Sequence, residues 1–149
     1  MRRRRHLRAV LPALAAACVL AGPAEPAQAA PTPKEKRLIA RINEARADHG
    51  LVKLRVGPRI QRGAHEWARH LRRTDAFRHG RLRAGTSENI AWGTPCSWMS
   101  PRRTVRRWLD SRPHRRAMLR RGARYVGAGY ATGSWRSYSC AELAVARFR

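Results

Sequence analysis

The sequence predicts an α+β domain in which helices pack on an antiparallel sheet. Apolar residues at helical spacing dominate the first part of residues 30–149, and a strand-like pattern replaces them near the end. The apolar faces together amount to one core. Helices that precede strands along the chain are typical of α+β folds, and a chain of this length suits a single domain.

The first helix is predicted to begin directly after Thr32. The segment Thr32-Pro33-Lys34-Glu35 is a capping box with proline at the first helical position. Apolar residues then recur on one helical stripe, and Gly50 ends the helix. The stripe consists of Leu38, Ile39, Ile42 and Ala45.

Two further helices are predicted in the middle of the chain. Pro58 opens the second, after the short apolar segment 51–54, and a loop over 74–86 then leads to the apolar segment 88–93. Ser100 and Pro101 open the third, and a short helical turn over 114–119 follows it. The inward residues are predicted to be Ile60, Ala64, Trp67, Ala68 and Leu71 on the second helix, and Val105, Trp108 and Leu109 on the third.

The end of the chain is predicted to form a β-hairpin. Residues 125–131 and 137–148 have the composition of strands, and Gly133-Ser134 between them is typical of a turn. The hairpin would supply the sheet on which the helices pack.

The first 29 residues have the three parts of a secretory signal peptide. Arginines at positions 2–5 and 8 precede the apolar run 10–21, and Ala27-x-Ala29 is a small-x-small cleavage site. The run is shorter than the ~20 residues that a membrane-spanning helix needs. A buried N-terminal helix and a lipoprotein attached through Cys18 are the alternatives. We therefore expect a signal peptide, 1–29, and one domain, 30–149, without a transmembrane segment in the mature chain.

Cysteine usage agrees with export. Cleavage would remove Cys18 and leave Cys96 and Cys140 as a pair. Disulfides persist in the oxidising compartments outside the cytosol, so we predict a bond between these two residues. Two free buried thiols are the alternative.

The charge of the chain predicts an anionic partner. The formal net charge is +24, of which about +20 belongs to residues 30–149, and nearly all the cations are arginine. Such an excess attracts polyanions. Nucleic acid is the usual partner of a very basic domain, but an exported protein meets cell-wall polymers and acidic lipid headgroups first. Arg102, Arg103, Arg106 and Arg107 are predicted on the outer face of the third helix. A merely solvated arginine-rich surface is the alternative.

Two histidines and one glutamate are the candidate site residues. His79 lies in a Gly/Arg loop that has no helical face to fill, and His114 begins a helix. Glu88 lies in an apolar segment, where a buried acid needs a His or Arg partner. The other histidines of the domain, His49, His65 and His70, lie on helices and are interpreted as structural or solvated.

Five motifs, in this order, resemble the bacterial branch of the superfamily of cysteine-rich secretory proteins, antigen-five and pathogenesis-related proteins, the CAP or SCP domain. The resemblance covers about residues 36–148. The motifs are Asn43-Glu44-Ala45-Arg46, Phe77-Arg78-His79, Ser87-Glu88-Asn89-Ile90-Ala91-Trp92-Gly93, Trp108-Leu109-Asp110-Ser111-Arg112-Pro113-His114-Arg115 and Val126-Gly127-Ala128-Gly129.

The resemblance implies a three-layer α-β-α sandwich with an exposed cleft. In the family that cleft holds two histidines and one or two glutamates, to which His79, Glu88 and His114 correspond. Ser111 stands where animal and plant members have the second glutamate, as it commonly does in bacterial relatives. Two imidazoles and a carboxylate could hold Zn²⁺ with a water, although the cationic surroundings oppose a dication. The alternative is a hydrogen-bonded cluster that pins the loops around the cleft.

We expect a secreted or cell-wall-associated protein, a monomer, that binds a lipid or an anionic polymer without catalysis. The alternative is an extracellular metal-dependent hydrolase that uses His79, Glu88 and His114. The sequence does not supply a nucleophile with its base and orienting group, because Ser87 and Ser111 are near acidic or histidine residues by sequence alone.

Overall fold

Four α-helices and four β-strands follow one another in the computed structural model, which describes residues 30–149. The predicted signal peptide and Cys18 lie outside the described residues. The helices are α1 (Pro33–Asp48), α2 (Pro58–Arg73), α3 (Pro101–Asp110) and α4 (Arg112–Met118). The strands are β1 (Arg55–Val56), β2 (Ser87–Gly93), β3 (Tyr125–Trp135) and β4 (Tyr138–Phe148).

The first three helices begin where the sequence predicted, whereas α4 begins at Arg112, two residues before the predicted start of the turn over 114–119. In the capping box of α1, Thr32 Oγ1 accepts a hydrogen bond from Glu35 N at 3.3 Å, and Glu35 Oε2 accepts one from Thr32 N at 2.8 Å. Ser100 caps α3 in the same manner, with 3.3 Å between its Oγ and Arg103 N. Side-chain oxygens thus satisfy amide groups that the first turn of each helix leaves without partners.

The sheet has the strand order β1-β3-β4-β2. The three long strands are antiparallel, as predicted, with β4 in the middle. The short β1 adds a parallel pair, Arg55 with Tyr125 and Val56 with Val126, at the outer edge of β3. The prediction of a wholly antiparallel sheet was therefore incomplete, because a two-residue strand gives no recognisable alternation.

The turn of the β3–β4 hairpin lies beyond the predicted Gly133-Ser134. Trp135 pairs with Tyr138, so Arg136 and Ser137 form the turn, and Arg136 has a φ of +52°. Trp135 is 1% exposed and its Nε1 donates to Leu71 O at 3.1 Å. Burial of this indole against α2 extends the strand past the glycine.

Helices cover both faces of the sheet and make the fold a three-layer α-β-α sandwich. On one face, α1, α3 and α4 enclose a core that includes Trp108, Met118 and the β4 residues Ala144, Ala146 and Phe148. On the other face, α2 packs on the alternate β4 residues Leu143 and Val145, together with Trp135. Because successive side chains of β4 point to opposite faces of the sheet, this strand contributes to both cores.

The buried face of α2 differs from the predicted apolar stripe. Ala64, Ala68 and Leu71 are buried as predicted, but Ile60 and Trp67 are only half-buried, and Gln61 is buried instead. The Gln61 side chain donates to Ala128 O at 2.8 Å and accepts from Ala128 N at 2.9 Å. The side-chain amide of Gln61 thereby makes the two hydrogen bonds that a neighbouring strand would otherwise make with Ala128.

Close packing of α2 on β3 depends on two glycines. A Cβ at Gly127 would lie 2.3 Å from Ile60 O, and one at Gly129 would lie 2.3 Å from Ala64 O. Both obstacles are backbone atoms, which cannot move aside without shifting the helix. The Gly-Ala-Gly sequence of β3 therefore sets the distance between the sheet and α2.

Cys96 and Cys140 form the predicted disulfide, with a sequence separation of 44 residues. The bond joins the short 3₁₀ turn after β2 to the beginning of β4. By loop-closure entropy a bond of this separation stabilises the fold by about 4 kcal/mol.

We expect Gly127→Ala to destabilise the domain by about 2 kcal/mol or more, because the methyl group would overlap the backbone of α2. Denaturant unfolding of residues 30–149 measures the loss. Gly122→Ala is the matched control, since a Cβ at Gly122 meets nothing within 4 Å. Equal stabilities of the two variants would show that the close approach is not a constraint.

Candidate functional site

The carboxylate of Glu88 is at the centre of the candidate site. Its side chain on β2 is 0% exposed. Oε1 accepts a hydrogen bond from Gly80 N at 3.0 Å and lies 3.0 Å from His79 Nδ1. Oε2 accepts one from Arg147 Nε at 2.7 Å. Glu88 therefore joins β2, the 74–86 loop and the end of β4.

These contacts explain how a carboxylate is buried in an apolar segment. A buried charge is costly unless it is paired and hydrogen-bonded, and Glu88 has three donors of which one is a guanidinium. An ionised carboxylate can only accept, so His79 Nδ1 carries the proton of this contact. In the neutral imidazole, Nε2 then remains an acceptor. The His79 side chain is 56% exposed and accessible from solvent.

His114, near the beginning of α4, is held by different groups. Its Nδ1 lies 2.8 Å from Ser111 Oγ, and its carbonyl oxygen accepts a hydrogen bond from Asn89 Nδ2 at 2.9 Å. Glu88 and Asn89 are neighbours on β2 and so point to opposite faces of the sheet. β2 thereby anchors the loop that carries His79 through Glu88, and it anchors α4 through Asn89.

His79 influences the electrostatics of His114. The pKa of His114 is lowered from its ordinary value, first by burial, which disfavours the imidazolium, and then by the positive charge of His79. A histidine with a lowered pKa in the folded state takes up fewer protons there than in the unfolded state. The contribution of His114 to the free energy of unfolding is therefore fully present above its unfolded-state pKa. It is lost as the pH falls through the lower folded-state pKa.

The structure thus brings His79 and Glu88 into contact, whereas His114 makes its hydrogen bonds with Ser111 and Asn89. In the part of the chain that the structure describes, no three His, Cys, Asp or Glu side chains form a group that could hold a metal ion. As arranged, both oxygens of Glu88 already accept hydrogen bonds, one of them from a guanidinium. In this arrangement the side chains of His79, Glu88 and His114 therefore do not present a zinc ligand set.

Sequence reasoning missed two participants, Arg147 and the amide of Gly80. Arg147 follows six buried residues of β4 and precedes the buried Phe148. An arginine within an apolar strand needs an acceptor for the same reason that Glu88 needs a donor, and pairing the two could have identified it. The Gly80 amide leaves no signal in the sequence, because every residue except proline supplies one.

The other histidines have local partners. His49 Nδ1 lies 2.7 Å from Ala45 O at the end of α1, and His65 Nδ1 lies 2.8 Å from Glu35 Oε1. His70 stacks on Trp67 with ring centroids 4.7 Å apart. These contacts fit the structural roles that the sequence predicted.

The fold and the site define a class: an α-β-α sandwich with a histidine–glutamate cluster at the loop-covered edge of its sheet. Residues 39–146 match the family model of the cysteine-rich secretory protein family, called CAP. The chain belongs to this family. A search of curated protein sequences gave no match.

Solved structures show the same fold at low sequence identity. An outer surface protein from Borrelia burgdorferi has a TM-score of 0.61 and 21% identity, covering 76% of this chain and 89% of that chain. MpPR-1i has a TM-score of 0.57 and 18% identity over 76% and 84%. BmVAL-1 has a TM-score of 0.59 and 15% identity over 78% and 77%.

We expect the pKa of His114 to rise in a His79→Gln variant, because a neutral side chain removes the repulsion while burial stays. NMR titration of the His114 ring protons measures the change. His49→Gln is the control, since His49 bonds to the end of α1 and does not affect the pKa of His114. An unchanged His114 titration in His79→Gln would refute the coupling.

Proposed function

We propose that residues 30–149 are exported by cleavage of the signal peptide 1–29 and act outside the cell, or on its wall, as a non-enzymatic binding domain. The ligand class is an anionic polymer or the headgroups of anionic lipids. The distribution of charge between the interior and the surface carries this proposal.

Most of the buried charged residues are acidic, whereas most of the arginines lie at the surface. Among residues 30–149, Glu35, Glu88 and Glu142 are buried, whereas Arg46 is the buried cation. The remaining acidic residues, Glu44, Asp48, Glu66, Asp75 and Asp110, are exposed. The surface is therefore even more positive than the net charge of about +20 indicates. Such a surface concentrates polyanions and binds them through counterion release.

The outer face of α3 contributes to this surface. Arg102, Arg103, Arg106 and Arg107 are all exposed, as the helical pattern predicted. The guanidinium groups of Arg103 and Arg107 lie over the ring of Trp98, at 4.8 and 5.1 Å from its centroid. Stacking on an indole orients guanidinium groups for forked contacts with phosphate or carboxylate.

Export is supported by the family and by the disulfide. Members of the CAP family are typically secreted, and the Borrelia structure is of an outer surface protein. The Cys96–Cys140 bond is of the kind that oxidising compartments maintain. Within residues 30–149 no helix has the length and apolar character needed to cross a membrane.

The hydrolase alternative has less support. Metal-dependent hydrolysis needs a carboxylate free to bind the metal or to act as a base. Glu88 is instead engaged by His79, Gly80 and Arg147. This carboxylate acts as a connector of chain segments.

We expect the exported protein to begin at Ala30, since Ala27 and Ala29 provide the small residues that signal peptidase requires. Intact-mass measurement of protein recovered from the medium or wall of the expressing bacterium tests this. An Ala27→Arg, Ala29→Arg variant should accumulate uncleaved, and Cys18→Ser, the control, should be cleaved normally. A lipid-modified product beginning at Cys18 would contradict the prediction.

We expect residues 30–149 to sediment with phosphatidylglycerol vesicles or isolated cell walls at low salt and to be released as salt rises, because counterion release drives the binding. Replacing Arg102, Arg103, Arg106 and Arg107 with Gln should weaken retention without unfolding the domain, since all four are exposed. Phosphatidylcholine vesicles are the control. Retention that neither salt nor the substitutions change would refute electrostatic binding.

A further inference from the structure

A groove lined by arginines runs along α2, opposite the loop residues 78–83. Its first stretch has a volume of about 360 Å³, with Arg59 and Arg62 on α2 facing Arg81 and Arg83 on the loop. Its second stretch has a volume of about 890 Å³ and continues to Arg73. The two stretches adjoin each other, since both are lined by Gly63, Glu66, Arg81 and Arg147.

Arg147 lies where the two stretches meet. Its side chain is 14% exposed, and Nε donates to Glu88 at 2.7 Å, which fixes the plane of the guanidinium. The terminal nitrogens lie beside two glycines: a Cβ at Gly63 would be 2.7 Å from Nη1, and one at Gly80 would be 2.6 Å from Nη2. Within residues 30–149 neither nitrogen has a hydrogen-bond partner. The two terminal nitrogens of Arg147 are therefore held in place and available to a ligand in the groove.

The groove differs from the α3 face in its acidic residues. Arg102 and Arg106 line a depression with Glu44 and Asp48, which offset part of their charge. In the α2 groove, Glu66 is the lining carboxylate among the described residues, against arginines on both walls. The density of uncompensated positive charge is thus higher along α2 than on α3.

The shape of the groove favours a chain over a membrane surface. A planar bilayer meets convex surfaces and would not reach Arg147 between its two walls, whereas a thin polymer can lie along the floor. The groove also lacks the row of free aromatic rings on which nucleic-acid bases stack. Of its described lining residues, Trp67 has the large ring, and that ring is already stacked on His70.

We infer that the α2 groove is the binding site for a linear polyol-phosphate polymer, in which the guanidinium of Arg147 binds one phosphate at the centre of the groove. This inference rests on the proposed function and narrows it to one surface and one ligand class. Arg59, Arg62 and Arg81 contact phosphates on either side of the central one. Because each phosphate contact releases counterions, the site binds successive phosphates and depends steeply on salt.

Two variants with the same change in net charge test the location of the site. One replaces Arg59, Arg62 and Arg81 with Gln, and the other replaces Arg102, Arg103 and Arg106 with Gln. The ligand is poly(glycerol phosphate) freed of lipid, titrated into the disulfide-bonded domain 30–149. We expect the groove variant to bind about tenfold or more weakly and to lower the salt slope by about two. The α3 variant should lose severalfold less affinity.

Gly63→Ala tests Arg147 without changing any charge. The new methyl group would occupy the position beside Arg147 Nη1, and alanine is favoured over glycine within a helix. We expect a severalfold loss of polymer affinity in a domain that still folds, with the gain in helix propensity offset by the displacement of the Arg147 guanidinium. Gly122→Ala is the control for an added methyl group. Unchanged affinity in Gly63→Ala would overturn the role of Arg147.

The outcomes separate this inference from the proposed function. If the wild-type domain binds neither the polymer nor phosphatidylglycerol vesicles at low salt, the proposed function fails. If it binds the polymer but both triple variants weaken equally, the groove is wrong and the proposed function stands. Tighter binding of single-stranded DNA or of phosphatidylglycerol vesicles than of poly(glycerol phosphate) would overturn the ligand class.

Discussion

The hydrogen bonds of the buried Glu88 carboxylate are the interaction on which the candidate site and the adjoining α2 groove depend. The carboxylate holds His79 and Gly80 of the 74–86 loop against the sheet, and it fixes Arg147 through Nε. Since that loop has no regular secondary structure, these hydrogen bonds determine where its residues lie. The position of His79, one wall of the α2 groove and the direction of the Arg147 guanidinium all follow from one desolvated charge and its donors.

A second buried acid, Glu35, performs a related task at the opposite edge of the sheet. The short β1 covers only the beginning of β3. Further along that edge, Gln61 pairs with Ala128, and Glu35 Oε1 accepts from Tyr130 N at 3.2 Å and lies 2.8 Å from His65 Nδ1. Side chains from α1 and α2 thus satisfy backbone groups of an edge strand, which would otherwise be open to pairing with another chain. Three of the eight acidic residues among residues 30–149 are buried, and this increases the excess of positive charge at the surface.

Much of the fold was predictable because the signals are local. The capping box at Thr32, the prolines that begin α2 and α3, and the apolar stripes each depend on residues within a turn or two. The errors came where distant contacts decide. Trp135 extends β3 because it packs against α2, and Gln61 is buried because β3 lacks a neighbouring strand beside it. In the site, Glu88 was recognisable as an acid in need of partners, whereas Arg147, 59 residues away, was not connected to it.

The sequence by itself determined the helices, the strand-rich end, the cysteine pair and a large excess of arginine, because these follow from spacing, composition and charge. Tertiary structure alone decided which arginines lie close to one another and which lie beside acidic residues. Those of α3 were evident from helical periodicity, yet Glu44 and Asp48 of α1 lie beside them. Those of the α2 groove come from a helix, a loop and the last strand, and only folding brings them beside one another. The physical reason is that electrostatic and hydrogen-bonding interactions depend on distance in space, whereas the sequence specifies distance along the chain.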